Sequence, residues 1–388
     1  MNILVFWLSL AAIFYSYLGY PALMWLLAFI AGRKRGRGKK SGGAAYTPAV
    51  SLIISAYNEE DVIEKKLRNA ADMRYPKDLL EIIVASDGSD DRTDEIVKGF
   101  SGVSLRRFEG RIGKTACLNR VVPEATGDII VFSDANSMYE KNAISSLVEN
   151  FADERVGFAT GFTKYAAKGS GDAAIGLYAL LEKLAKVSES RIGSCAGADG
   201  AIFAIRKRLY RPLDGADIND LVIPLNIVRS GYRGVLDERA FCTEEAADGS
   251  GAEFFRQVRI ANRTLRAVFR NSDLLNPFRH GIFAFEFFSH KVCKLSVPFF
   301  ILGLLFSNAA LAAEHWRAYG GVFAAPLLAQ AALGLLGWIG RSGEGKTGLF
   351  SRISSLSHSF LAVNLAVLLG WLKFLRGENF ITWAPARR

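Results

Sequence analysis

The sequence predicts an α/β domain with a mostly parallel sheet, flanked by transmembrane helices. Three observations carry that prediction. Met1 to Gly32 is an uncharged apolar stretch closed by a cluster of basic residues. From about Ala49 to Arg270, short apolar runs alternate with helical patterns. Beyond Leu295, long apolar segments return. The composition agrees. Half of the 388 residues are hydrophobic and 27 are Phe, which excludes a disordered chain. Four scattered cysteines exclude a disulfide scaffold and read as buried reduced thiols.

The first segment exceeds the roughly 20 residues needed to cross a bilayer core. A cleaved leader would have a basic start and a shorter apolar run, whereas here Arg33, Lys34, Arg35, Arg37, Lys39 and Lys40 follow the apolar stretch. The positive-inside rule then places the chain after residue 32 in the cytosol. The cluster supplies six of the ten net positive charges. Its position beside the membrane points to anionic headgroups as its partner, not nucleic acid. Residues 33–48 form a basic juxtamembrane linker. At the other end, Leu295–Ala313 and Ala318–Gly340 are long enough to span, and Ile353–Leu372 is shortened by its Ser-rich start. Three spans there leave the basic tail, 376–388, outside; two leave it inside, as the charge rule prefers. The sequence leans towards three.

Within the central domain, 49–271, Val50–Ala56 reads as a buried strand ending in Tyr57-Asn58-Glu59. Leu80–Ser86 is a second strand, broken by Asp87-Gly88-Ser89, and Ser104–Phe108 a third. Lys114–Val122 is helical in pattern, and Asp128–Ser133 is a central strand running into Asp134-Ala135-Asn136. In such sheets ligands bind at the carboxyl ends of the strands. Three strand ends therefore deliver acids and amides to one edge, a set suited to an oxygen-rich ligand and a hard divalent cation.

These motifs, Tyr57-Asn58-Glu59-Glu60, Asp87-Gly88-Ser89, Gly113-Lys114 with Asn119, and Asp134-Ala135-Asn136, resemble in order those of family 2 glycosyltransferases. They are most similar to the membrane-bound branch that includes cellulose, hyaluronan and poly-N-acetylglucosamine synthases. The resemblance continues through Asn219-Asp220-Leu221, Gly231-Tyr232-Arg233 and Arg256-Gln257-Val258-Arg259-Ile260 to Trp383-Ala384-Pro385-Ala386-Arg387. It implies a GT-A fold and inverting transfer of a hexose or N-acetylhexosamine from a nucleotide sugar, a UDP sugar by expectation. The acceptor would be a lipid-linked or growing saccharide.

Carried over, the resemblance makes Asn58, Glu59, Asp87, Lys114 and Asp134 donor-binding. Asp134 and Asn136 would hold Mg²⁺ or Mn²⁺, although Asn136 stands where the family has a second acid and adds no charge. Asp220 would be the general base that takes the acceptor hydroxyl's proton. Arg256 and Arg259, sharing a helix face, would stabilise the departing diphosphate. Asp199 falls in the segment that lines the acceptor side. Ile260 replaces the family's aromatic, which weakens an inference of processive synthesis.

Residues 272–294 alternate aromatics with charges and read as interfacial amphipathic helices. The whole reading is a multi-pass protein of the inner membrane with a cytosolic catalytic domain, working with partners in polysaccharide export. Two alternatives stay open: a polyprenyl-phosphate glycosyltransferase, which needs no strong base, and a catalytically degenerate nucleotide-sugar-binding scaffold. Gly340-Arg-Ser-Gly-Glu-Gly-Lys-Thr347 fits the P-loop pattern but follows an apolar segment, with too little chain beyond it for a nucleotide-binding domain. The four histidines, His280, His290, His315 and His358, all fall outside the central domain, so no zinc site follows.

Overall fold

A computed structural model describes residues 1–32, 46–166, 172–245, 250–314, 322–340 and 348–382. The basic cluster, nearly all of the P-loop-like stretch and the Trp383 ending lie outside the described residues. The central sheet has eight strands: β1 Val50–Ala56, β2 Leu80–Ser86, β3 Val103–Arg107, β4 Ile129–Asp134, β5 Met138–Tyr139, β6 Val156–Ala166, β7 Ile202–Arg206 and β8 Arg233–Glu245. Their order is β3-β2-β1-β4-β7-β6-β8-β5. Strands β3-β2-β1-β4 are parallel, as the βα alternation requires. Past β4 the sheet is mixed: β7 runs antiparallel to both β4 and β6, while β6 and β8 pair parallel.

The inner strands are apolar on both faces because helices cover both. Ile53, Ile83, Ile130 and Phe132 face one buried cluster, and Leu52, Ile54, Val84 and Val131 face the other. Packing is tightest where glycine is obligatory. A Cβ on Gly234 would lie 1.8 Å from the Phe158 ring on the paired strand. Gly234→Ala is therefore expected to destabilise the fold by at least about 1–3 kcal/mol, read as a lowered denaturation midpoint.

Among the described residues, three helices are long and apolar enough to cross a membrane: Asn2–Gly32, Ile282–Glu314 and Leu349–Leu375. The sequence weighting of the C-terminal helices is thereby inverted. Among the described residues, the segment expected from residue 318 is helical over Ala324–Gly340, 17 residues. The Ser-rich helix, taken as the shortest candidate, runs for 27 residues. Its hydroxyls are answered within the helix: Ser354 donates to the Phe350 carbonyl at 2.8 Å and Ser357 to that of Ile353 at 2.9 Å. Serines bonded in this way leave little polarity to exclude them from an apolar medium.

The aromatic stretch forms the short helix Pro277–His280 and then the first part of the second of these helices, Ile282–Phe287 followed by a π-turn, Phe288–Cys293. The amphipathic helix Ser250–Arg270 lies against Leu349–Leu375, and Gly370 permits the approach: a Cβ there would meet that of Ala261 at 2.7 Å. After the last membrane helix the chain returns to the catalytic domain. The Glu378 carbonyl accepts from Arg266, and the Ile381 carbonyl lies 2.7 Å from where a Gly113 Cβ would stand.

Candidate active site

The register of the parallel strands sets the edge. Ala56 pairs with Ser86 and Ser55 with Asp134, so Tyr57, Asp87 and Asp134 leave the sheet side by side. Asn58 takes the left-handed conformation (φ 49°), which Asn tolerates better than most side chains. From there its Oδ1 accepts from the Asp90 amide at 2.8 Å, and its own amide donates to Ser89 Oγ. The Glu59 amide donates to Thr93 Oγ1 at 2.8 Å. These bonds staple the first strand-end loop to the second. Arg111 lies over the Tyr57 ring, its guanidinium carbon 3.6 Å from the centroid.

Asp87 is fully buried. Its carboxylate accepts from the amides of Ile112 (2.8 Å) and Gly113 (3.0 Å), with Cys117 Sγ at 3.5 Å. It thus fixes the glycine turn that opens the helix Lys114–Glu124. Gly113 sits at φ 91°, a conformation natural to glycine. The Lys114 ammonium forms an ion pair with Asp134 Oδ1, linking two of the sequence-picked residues directly.

Asp220 is the second residue of the helix Asn219–Arg229, a half-buried carboxylate in its first turn. Burial raises its pKa above the ordinary aspartate value. The charges of Lys114, Lys186 and Lys291 pull the other way without cancelling that rise. Its Oδ2 lies 3.1 Å from the position a Gly200 Cβ would take, so the Asp199-Gly200 turn borders it. The Asp199 carboxylate itself is engaged by the chain, accepting from Thr163 N at 2.9 Å, Thr163 Oγ1 and Ala201 N at 3.1 Å. An acceptor contact there would compete with these bonds.

On the helix Ser250–Arg270, Arg256, Arg259 and Arg263 follow at i, i+3 and i+7 on one face. Arg256 is ion-paired with Glu253 at 3.0 Å. Arg259 has no hydrogen-bond or ion-pair partner among the described residues. Burial and the charges of Arg263 and Arg256 bring its pKa down to about 10. Arg263 donates to the Ala216 carbonyl at 3.0 Å and to Thr115 Oγ1, and feels the Asp220 charge.

Several residues at this edge carry no sequence signal. Lys66 is fully buried, donates to the Ser137 carbonyl directly after the Asp134–Asn136 turn, and lies over the Tyr139 ring. Burial lowers its pKa to about 7. Glu244, at the end of β8, accepts from Ser137 Oγ. Burial and the Asp134 charge push its pKa up. Each belongs to an element that reads as ordinary on its own and becomes informative only once β5 and β8 pair.

These residues fit a hard cation as an oxygen-only set: the Asp134 carboxylate, the Asn136 amide and a second carboxylate, Glu244, whose pKa is raised by burial first and by the Asp134 charge second. No group of three or more His, Cys, Asp and Glu gathers tightly enough among the described residues to hold an ion unaided. Donor diphosphate oxygens and water would complete the shell, as is usual for magnesium-type sites.

A mixed sheet with cations and carboxylates at the carboxyl edge of its parallel half defines a glycosyltransferase domain of GT-A type. Residues 51–210 match the family model for glycosyl transferase family 2. That match and the relatives below make this stretch similar to a family 2 glycosyltransferase domain. It is 32% identical over 202 residues to the probable glycosyltransferase YdaM of Bacillus subtilis (strain 168), a match covering 48% of each chain. It is 28% identical over 225 residues to the poly-beta-1,6-N-acetyl-D-glucosamine synthase of Staphylococcus aureus (strain MSSA476), covering 55% of this chain and 53% of that one. The chain thus matches about half the length of these curated relatives. The fold is shared with the mannosyltransferase PcManGT of Pyrobaculum calidifontis, solved with GDP-Man and Mn²⁺. That match has a TM-score of 0.73 at 21% identity and covers 97% of this chain and all of that one.

Proposed function

We propose that the protein is a membrane-held inverting glycosyltransferase. It moves a hexose or N-acetylhexosamine from a nucleotide sugar, a UDP sugar by resemblance, to a saccharide or lipid-linked acceptor. The observation that carries this is Asp220: a carboxylate of raised pKa at a helix start, bordered by the Gly200 turn and within the fields of Lys114 and Arg263. Such a group is more basic than an exposed aspartate, as a general base requires. In the reaction, the acceptor oxygen bonds to the anomeric carbon while the bond from that carbon to the diphosphate oxygen breaks. The hydroxyl proton passes to Asp220, and the electron pair leaves with the nucleoside diphosphate.

Negative charge then grows on the diphosphate. Arg259 has no hydrogen-bond or ion-pair partner to give up among the described residues, so it and Arg256 would meet that charge, with Lys114 beside them. Asp134, Asn136 and the diphosphate would hold Mg²⁺ or Mn²⁺, which when bound supplies a Lewis acid for the leaving group. Asn136→Asp should add a charged ligand and tighten Mn²⁺ binding by about tenfold, measured by calorimetry on the protein with and without nucleoside diphosphate.

We place the catalytic domain on the cytosolic face of the inner membrane with the last described residues on the same side. Support comes from Ile381 against Gly113 and from the short Ala324–Gly340 helix, which together favour two C-terminal crossings over three. The test of the whole reading is nucleotide release from a panel of nucleotide sugars by the protein in lipid. Release with one donor, dependent on divalent metal and on Asp220, supports it. Donor binding without release for every acceptor tried would leave a scaffold.

A further inference from the structure

We propose that Lys186 and Lys291 form an acceptor subsite for a phosphate group, set at lipid-headgroup depth beside Asp220. The inference rests on the acceptor role proposed for Asp220 and names the chemistry of what binds there. The two lysines come from distant parts of the chain, Lys186 from the helix Asp172–Ile192 and Lys291 from the π-turn Phe288–Cys293. They meet around the Ala196–Gly200 turn. Lys186 Nζ donates to the Ala198 carbonyl at 3.3 Å, and Lys291 Cε lies 3.7 Å from where a Gly197 Cβ would stand. The Asp220 carboxylate feels both charges.

Neither ammonium is ion-paired with a carboxylate among the described residues, although the charges of Glu182, Asp199 and Glu189 reach Lys186 and outweigh the cost of its burial. The Glu182 oxygens are taken by His290 Nε2 at 2.6 Å and Lys294 Nζ at 2.5 Å. Those of Glu189 are taken by Tyr20 Oη at 2.6 Å, His290 Nδ1 at 2.5 Å and the Ala196 amide at 3.1 Å. Glu286 packs under Gly193 and accepts from the Ser194 amide at 3.3 Å. Asp199 is held by Thr163 and Ala201. Lys291 has no hydrogen-bond or ion-pair partner among the described residues. A half-buried cation with no direct ion-pair partner among the described residues, as Lys291 is, is stabilised by an anion that joins it.

Depth and geometry indicate phosphate. Lys291 lies in the last charged turn before the uncharged run Leu295–Ala313, the level at which phosphorylated headgroups sit. Two ammonium groups from different elements act as point charges around one tetrahedral anion, a role lysine fills well. A phosphate held there would tether the acceptor next to the base.

The test measures lysine acetylation by mass spectrometry on the full chain in neutral detergent, with decyl phosphate, decyl glucoside or inorganic phosphate added. Decyl phosphate should slow modification of Lys186 and Lys291 about tenfold, and decyl glucoside should not. Lys291→Gln removes no hydrogen bond or ion pair seen among the described residues, so it should fold and should weaken decyl phosphate about tenfold, with the Lys186→Gln/Lys291→Gln pair weaker still. Protection by inorganic phosphate as strong as by decyl phosphate assigns a soluble phosphorylated acceptor; protection that needs the alkyl chain assigns a lipid. Equal labelling with decyl phosphate and decyl glucoside, or wild-type affinity in Lys291→Gln, overturns the subsite. The readout needs no turnover. Asp220→Asn protein that is protected like the wild type keeps the subsite even if its turnover shows that Asp220 is not the base.

Discussion

Asp220→Asn should cut glycosyl transfer by about 10²–10⁴-fold and leave the fold at least as stable as before. The two effects share one cause. Burial raises the folded-state pKa of Asp220 above its unfolded value, so between those values the native state binds more protons than the unfolded one. Stability then falls as pH rises through that window, and above it the ionised carboxylate is a net cost to the fold. Asparagine keeps the shape and removes the charge. Thermal melts near pH 7 should show an unchanged or higher midpoint, and the difference from wild type should vanish at acid pH, where the native carboxyl is protonated. The acidic limb of the wild-type rate profile should lie above the ordinary aspartate value of about 3.9. A destabilised, partly active Asp220→Asn protein would contradict both halves of the argument.

Asp134→Ala should have the next largest effect, a loss of about 10²–10³-fold in transfer with little change in stability. Its carboxylate is 37% exposed and paired with Lys114, so the lost ion pair contributes at most about 1 kcal/mol to folding. The functional loss is larger because the Asn136 amide carries no charge to compensate. Donor binding should lose its dependence on Mn²⁺ or Mg²⁺, leaving Lys114 as the remaining cation at that strand end. Titrating donor with and without metal separates this from misfolding: a variant that keeps metal-stimulated donor binding would remove Asp134 from the ligand set.

The strand-end chemistry was legible because each parallel strand is a short apolar run that stops at an acid or amide. Val50–Ala56 and Leu80–Ser86 appear with the bounds their residues suggest. Even so, the sequence could not say what each acid does. Asp87 and Asp199 hold backbone amides, Asp134 holds a lysine, and Asp220 feels several cations. Turn acids serve all these ends with the same residue type. The second half of the sheet was illegible for another reason. Strand β8 is rich in polar residues, and its parallel pairing with β6 is set by chain returns that local pattern does not encode. Lys66, Glu244 and Arg263 were missed with them. On its own helix Lys66 reads as a solvated cation, and only tertiary packing places it beneath the Asp134 turn.

The close seat of the Ser250–Arg270 helix on Leu349–Leu375 makes the arginine positions a property of two solvents at once. One side of that helix is registered against groups in water, and the other against a rod whose tilt is set by bilayer thickness. On the proposed roles and membrane placement, the arginines would be mechanically coupled to the lipid. Bilayers of different acyl length should change turnover in graded fashion while donor affinity at the strand ends stays constant.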